Sequence, residues 1–168
     1  ALISLSGDYS ANLTENLTLK QYSILINSSQ LNIGVRLIKF TAYRPNYELQ
    51  SDVIRIQVKR IEGLIEVASG SQAITSLPGK SVTIKLTLKD SISNKTITGA
   101  MVNYSWIFGK GTLTEPGNNG TYFLTLNNLV DGSYTIIITA YYNDNYSFKS
   151  FEITLTVTRP SEEQWIFI

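Results

Sequence analysis

The residues of this chain best suited to chemistry are asparagines. The triplet Asn-X-Ser/Thr, never with proline in the middle, occurs at Asn12, Asn16, Asn27, Asn94, Asn103, Asn119 and Asn145, seven of the thirteen asparagines. Its chemistry is glycan acceptance: the carboxamide nitrogen takes a sugar from an oligosaccharyltransferase, so the triplet marks a surface position in a protein that meets that enzyme. With Ser plus Thr at about one residue in five, chance supplies roughly two or three such triplets, and the excess points to an acceptor-rich surface. The competing reading is compositional, since Asn, Ser and Thr also share β-turns.

Other chemistries have little to work with. Cysteine and histidine are both absent, which removes disulfides, thiolate and imidazole metal sites and the Ser/His and Cys/His nucleophile pairs. Lys plus Arg (14) balances Asp plus Glu (13), so no basic face large enough for nucleic-acid phosphates is expected. The carboxylates show no spacing that acid/base catalysis requires, and no enzyme, metal or cofactor is expected. At "VKRIEGLIEVASG", Glu62 and Glu66 beside Lys59 and Arg60 read as a charged linker rather than a calcium site, which needs six to eight oxygens. The hairpin "AYYNDNYSF" (Tyr141, Tyr142, Asn143, Asp144, Tyr146) has the Tyr/Asn make-up of a binding loop. Its outline recurs at Tyr43, Asn46 and Tyr47, which favours a turn role, and a glycan on Asn145 would obstruct a binding surface there.

The elements that must carry these residues are strands. Ser, Thr, Asn, Ile and Tyr are abundant and Lys, Glu and Ala thin, a bias toward β-branched and turn-forming residues. "LNIGVRLIKFTAYRPNYELQSDVIRIQVKR" (31–60) is repeated as "LVDGSYTIIITAYYNDNYSFKSFEITLTVTR" (129–159), and "ALISLSG" (1–7) lies over "AMVNYSW" (100–106). A period of about 98 residues suits one sandwich domain, not a solenoid repeat. Strands are expected at "LIEVAS", "QAITS", Val82–Leu88, Met101–Phe108, Thr121–Leu126, Tyr134–Tyr142 and Phe151–Val157, with turns at "LPGK" and "EPGNNG". The fold class expected is all-β, tandem antiparallel sandwiches: residues 1–62 form a domain lacking its N-terminal strands, 63–160 a complete domain, and 161–168 a tail.

"DGSYTI", with Tyr134 two positions before Ile136, resembles the tyrosine corner of the immunoglobulin fold, and Trp106 resembles its core tryptophan. Ile136 stands where that fold has its second cysteine, and Ile84 or Leu86 near the first. The chain is similar to the disulfide-free immunoglobulin-like repeats of prokaryotic cell-surface proteins, in wording closest to archaeal examples, including those of Asgard archaea. The first copy matches less well, with Arg36 in place of the corner Tyr and Gly7 in place of the Trp. The resemblance implies an extracellular, cell-surface location.

These readings converge on a non-catalytic structural or adhesive module of a glycosylated surface protein, stalk or S-layer-like, whose partners are other copies, surface proteins or glycans. Two alternatives stand beside it: a filament subunit assembling by β-strand donation, and a carbohydrate- or peptide-binding accessory module of a secreted enzyme. The strands missing from the first domain come either from sequence upstream or from a neighbouring chain. The tail Trp165, Ile166, Phe167 and Ile168 is a candidate donor strand or the start of a membrane anchor continuing past residue 168. Within the chain itself neither a signal peptide nor a complete membrane span is expected.

Overall fold

Residues 1–159 are described by a computed structural model, in which the chain divides into two compact units, Ala1–Arg60 and one starting at Ile61. The division precedes residue 63 because Ile61 and Glu62 already belong to the first strand of the second unit.

The first unit holds β1 (Leu2–Gly7), β2 (Ala11–Asn12), β3 (Thr14–Asn16), β4 (Gln21–Ser23), β5 (Gly34–Tyr43) and β6 (Gln50–Val58). Four of them make one antiparallel sheet in the order β2-β1-β5-β6, and β3 and β4 pair as a separate hairpin. Alternation puts Ile3, Leu5, Ile38, Phe40, Ile54 and Ile56 on one face of the sheet. Yet the buried apolar residues of this unit are Leu5, Leu31 and Ile38.

The second unit holds β7 (Ile61–Val67), β8 (Ala73–Ser76), β9 (Val82–Asp90), β10 (Met101–Trp106), β11 (Gly109–Thr112), β12 (Thr121–Leu126), β13 (Gly132–Tyr141), β14 (Tyr146–Phe148) and β15 (Phe151–Val157). They form two sheets, β11-β10-β13-β15-β8 and β12-β9-β7-β14. Every ladder is antiparallel except β15 with β8 and β14 with β7. The opening segment therefore serves both sheets, as β7 in one and β8 in the other. Strands alternate apolar and polar, so each sheet has one face to bury and the two close on each other, giving an immunoglobulin-like sandwich. In β9, Ile84, Leu86 and Leu88 point inward against Ile136, Ile138, Ile153 and Leu155 of the other sheet, all at 0–1% exposure.

Two elements differ from expectation. Met101–Phe108 is not one strand: β10 stops at Trp106, and Ile107 and Phe108 form a tight turn into β11. The apolar pair misleads because Ile107, at 77% exposure, rides the turn outside the core. The expected Tyr/Asn hairpin contains β14, which crosses to the opposite sheet and pairs with β7.

Candidate functional site

Six of the seven triplet asparagines, Asn12, Asn16, Asn27, Asn94, Asn119 and Asn145, are exposed, and Asn103 is half-buried. Three share one local geometry. The Oδ1 atoms of Asn16, Asn27 and Asn119 accept the backbone N–H of Thr18, Ser29 and Thr121, the hydroxyl-bearing residue of each triplet, at 3.1, 3.0 and 3.0 Å. This Asx turn holds the carboxamide beside the hydroxyl residue and occupies its oxygen rather than its nitrogen. Asn103 sits on β10, where its Oδ1 accepts the Thr112 hydroxyl at 2.8 Å, so it is the least accessible acceptor.

Two carboxylates that the sequence did not single out brace the turns carrying acceptors. Glu115 accepts Gly120 N–H at 2.6 Å and Gly99 N–H at 2.8 Å, holding the turn that bears Asn119. Asp90 Oδ1 accepts the N–H groups of Ile92 and Ser93, each at 2.8 Å, in the turn that bears Asn94, while its Oδ2 accepts the Tyr146 hydroxyl at 2.7 Å. The Ser93 N–H, then the Tyr146 hydroxyl, hold the Asp90 carboxyl below the usual carboxylate range against the opposing effect of burial. Reciprocally, the bond to Asp90, then burial, pushes the Tyr146 phenol up. The signal for Glu115 was present as "LTE", which stands at 13–15 and again at 113–115. Asp90, by contrast, meets Tyr146 only through the fold, across 56 residues.

That bond divides the Tyr/Asn loop. Tyr146 turns inward, with Tyr142 edge-on at 5.4 Å and Phe148 stacked at 6.3 Å. Phe148 in turn lies over Gly63, where a Cβ would stand 2.1 Å from its ring. Asn143 is half-buried and its Oδ1 accepts Asn145 N–H at 3.0 Å. Tyr141 remains exposed, its hydroxyl 3.3 Å from Asp144. Tyr141, Tyr142 and Asp144 thus stay exposed, while Asn143 and Tyr146 are half-buried.

At the corner, the Tyr134 hydroxyl donates to the carbonyls of Val130 and Asp131 at 2.9 and 3.3 Å. Its ring meets Trp106 at 5.7 Å and Phe108 at 5.3 Å, edge to face. Trp106 is half-buried at the margin of the core, while Ile136 lies at its centre with 0% exposure. In the first unit Arg36 takes the tyrosine's place: its guanidinium donates to the carbonyls of Asn32 and Ile33, the counterparts of Val130 and Asp131. A longer donor thus closes the same corner.

Glu62 and Glu66 are paired with Lys149 at 2.6 Å and Lys89 at 2.7 Å, rather than with each other around an ion. Among the described residues no group of three or more His, Cys, Asp or Glu could hold a metal, and no helix is long and apolar enough to cross a membrane. Trp165, Ile166, Phe167 and Ile168 lie outside the described residues.

Among solved structures the chain is similar to domains 4 and 5 of the S-layer protein SbsC, at 22% identity over 77% of this chain and 67% of that one, with a TM-score of 0.43. It is also similar to fibronectin(III)-like modules of Clostridium thermocellum CbhA, at 16% identity over 93% and 77%, TM-score 0.43. A chimeric titin Z1Z2 tandem matches at 12% identity over 92% and 82%, TM-score 0.35. Superpositions this loose say nothing about function, and the immunoglobulin-like assignment rests on the strand order itself. No protein-family model matches the chain, and no curated protein matches it in sequence.

Proposed function

We propose that the chain is a non-catalytic structural module of a glycosylated cell-surface protein, held outside the cell in a stalk or S-layer-like array of the prokaryotic, archaeal kind its sequence resembles. Its work is mechanical and steric: rigid sandwiches set reach, and hydrophilic, sugar-bearing turns resist association and proteolysis. The observation that carries this reading is the placement of the acceptors. Six of the seven asparagines are exposed, and two of them, Asn119 and Asn94, stand on turns braced by Glu115 and Asp90, so a bulky glycan can be added there without displacing core. Four acidic residues of the second unit support a structural role, since Glu62, Glu66, Asp90 and Glu115 are engaged in ion pairs or turn hydrogen bonds.

The test is intact-mass and peptide mass spectrometry on the protein made in a host that carries out N-glycosylation. Sugar is expected first at Asn16, Asn27 and Asn119 and last at the half-buried Asn103. Seven bare asparagines would sink the proposal.

A further inference from the structure

We infer that the first unit is a strand acceptor, built to receive a polypeptide segment that supplies the opposite sheet. The ladders of the first unit recur in the second. Gly34 pairs with Val58, Arg36 with Ile56 and Ile38 with Ile54, as Gly132 pairs with Val157, Tyr134 with Leu155 and Ile136 with Ile153. Ile3 pairs with Ala42 as Val102 does with Ala140. The Tyr22 hydroxyl accepts the Ala1 nitrogen at 2.9 Å, as the Tyr122 hydroxyl accepts the Ala100 nitrogen at 2.9 Å.

What differs is the cover. In the second unit β8 pairs with the free edge of β15 over Thr154–Val157, and β9 pairs with Leu124 and Leu126 of β12. The corresponding stretches of the first unit are Arg55–Val58 and Ile24–Ile26, and neither has a partner strand on that side among the described residues. Ile54 is 44% exposed where its counterpart Ile153 is at 0%, and Ile24 and Ile26 are half-exposed where Leu124 and Leu126 are buried.

The second unit serves as the template for the occupant: a strand that pairs in parallel with Arg55–Val58, a turn, and an alternating aliphatic strand antiparallel to Ile24–Ile26. Two replacements refine its chemistry. Thr125, whose hydroxyl bonds Thr83 at 3.1 Å, becomes Leu25, so the occupant carries an apolar residue at the Thr83 position. Phe151, which shares a pocket with Ile65 and Val67, becomes Asp52, so the occupant carries a cation near the Val67 position.

The test adds synthetic peptides to the 168-residue protein and reads binding together with amide exchange. One peptide copies residues 61–90, and the second carries Val67→Lys and Thr83→Val. Both are expected to bind and to slow exchange at 24–26 and 55–58 by at least about 10-fold. The second should bind about 10-fold more tightly, a preference reversed by Leu25→Thr with Asp52→Phe. Ile54→Lys, on an already exposed side chain, should abolish binding without moving the exchange of the second unit. Absence of binding, or binding indifferent to Ile54→Lys, would overturn the inference. So would protection of those amides in the protein alone, whether as a monomer or through association of two copies.

Discussion

The hairpins β5–β6 and β13–β15 have one register and two fates. Ile153, Leu155 and Val157 are at 0% exposure, whereas Ile54 is 44% exposed and Ile56 and Val58 are half-exposed, although each pair occupies the same place in its ladder. Backbone pairing is therefore set by the repeated sequence, and burial is set by whether a second sheet faces it. The hydrophobic contribution scales with area removed from water, so the same isoleucine contributes very differently in the two units.

The largest expected effect follows directly. Ile153→Ala should destabilise the second unit by ~2–5 kcal/mol, through lost transfer energy and the cavity left behind, whereas Ile54→Ala should cost less than ~1 kcal/mol. Denaturant unfolding followed by tryptophan fluorescence reads the second unit, and hydrogen exchange across β5 reads the first. Equal costs at the two positions would break the comparison.

Gly63→Ala is expected next, at ~1–3 kcal/mol, because the added methyl meets the Phe148 ring. Phe148→Ala in the same chain should recover the Gly63 part of the loss. If the double variant is no better than the sum of the singles, the contact between β7 and β14 is not what limits that position.

The corner is a finer contrast. Tyr134→Phe and Arg36→Leu should each cost ~0.5–1.5 kcal/mol in their own unit by removing bonds to two carbonyls. Arg36→Tyr should be nearly neutral by the same thermal or denaturant measurement, and a loss as large as that of Arg36→Leu would show that the two corners are not equivalent.

The smallest effect lies in pH. The Asp90 carboxyl titrates lower in the folded state than in the unfolded one, so it binds fewer protons when folded. Its contribution is complete above the unfolded value, near 3.9 for an ordinary Asp, and is lost as pH falls through the folded value. Tyr146→Phe removes the second-largest cause of that shift, so the acid side of the stability profile of the second unit should flatten. A Tyr146→Phe profile parallel to that of the parent between pH 5 and pH 2 would contradict the assignment.

Strands were legible wherever polar and apolar residues alternate with a two-residue period, as in Val82–Leu88 and Phe151–Val157, because that pattern directly encodes a face to bury. The repeat was legible for the same reason in Thr41-Ala42-Tyr43 and Thr139-Ala140-Tyr141. The seven Asn-X-Ser/Thr triplets needed no structure to be found, being a local chemical pattern, whereas the half-burial of Asn103 on β10 is visible only in the fold.

Three things belonged to the tertiary structure alone. The turn at Ile107 and Phe108 reads as strand because apolar residues carry no mark that distinguishes core from exposed turn. Tyr146 is drawn inward by Asp90, 56 residues away, and no local pattern encodes a partner at that distance. Arg36 reads as the loss of a corner, but the fold shows it closing that corner, since what the turn requires is a donor reaching two carbonyls rather than a tyrosine. Sequence by itself determined which groups could pair and with what period; only three-dimensional packing decided which of them are covered, because burial depends on what stands opposite.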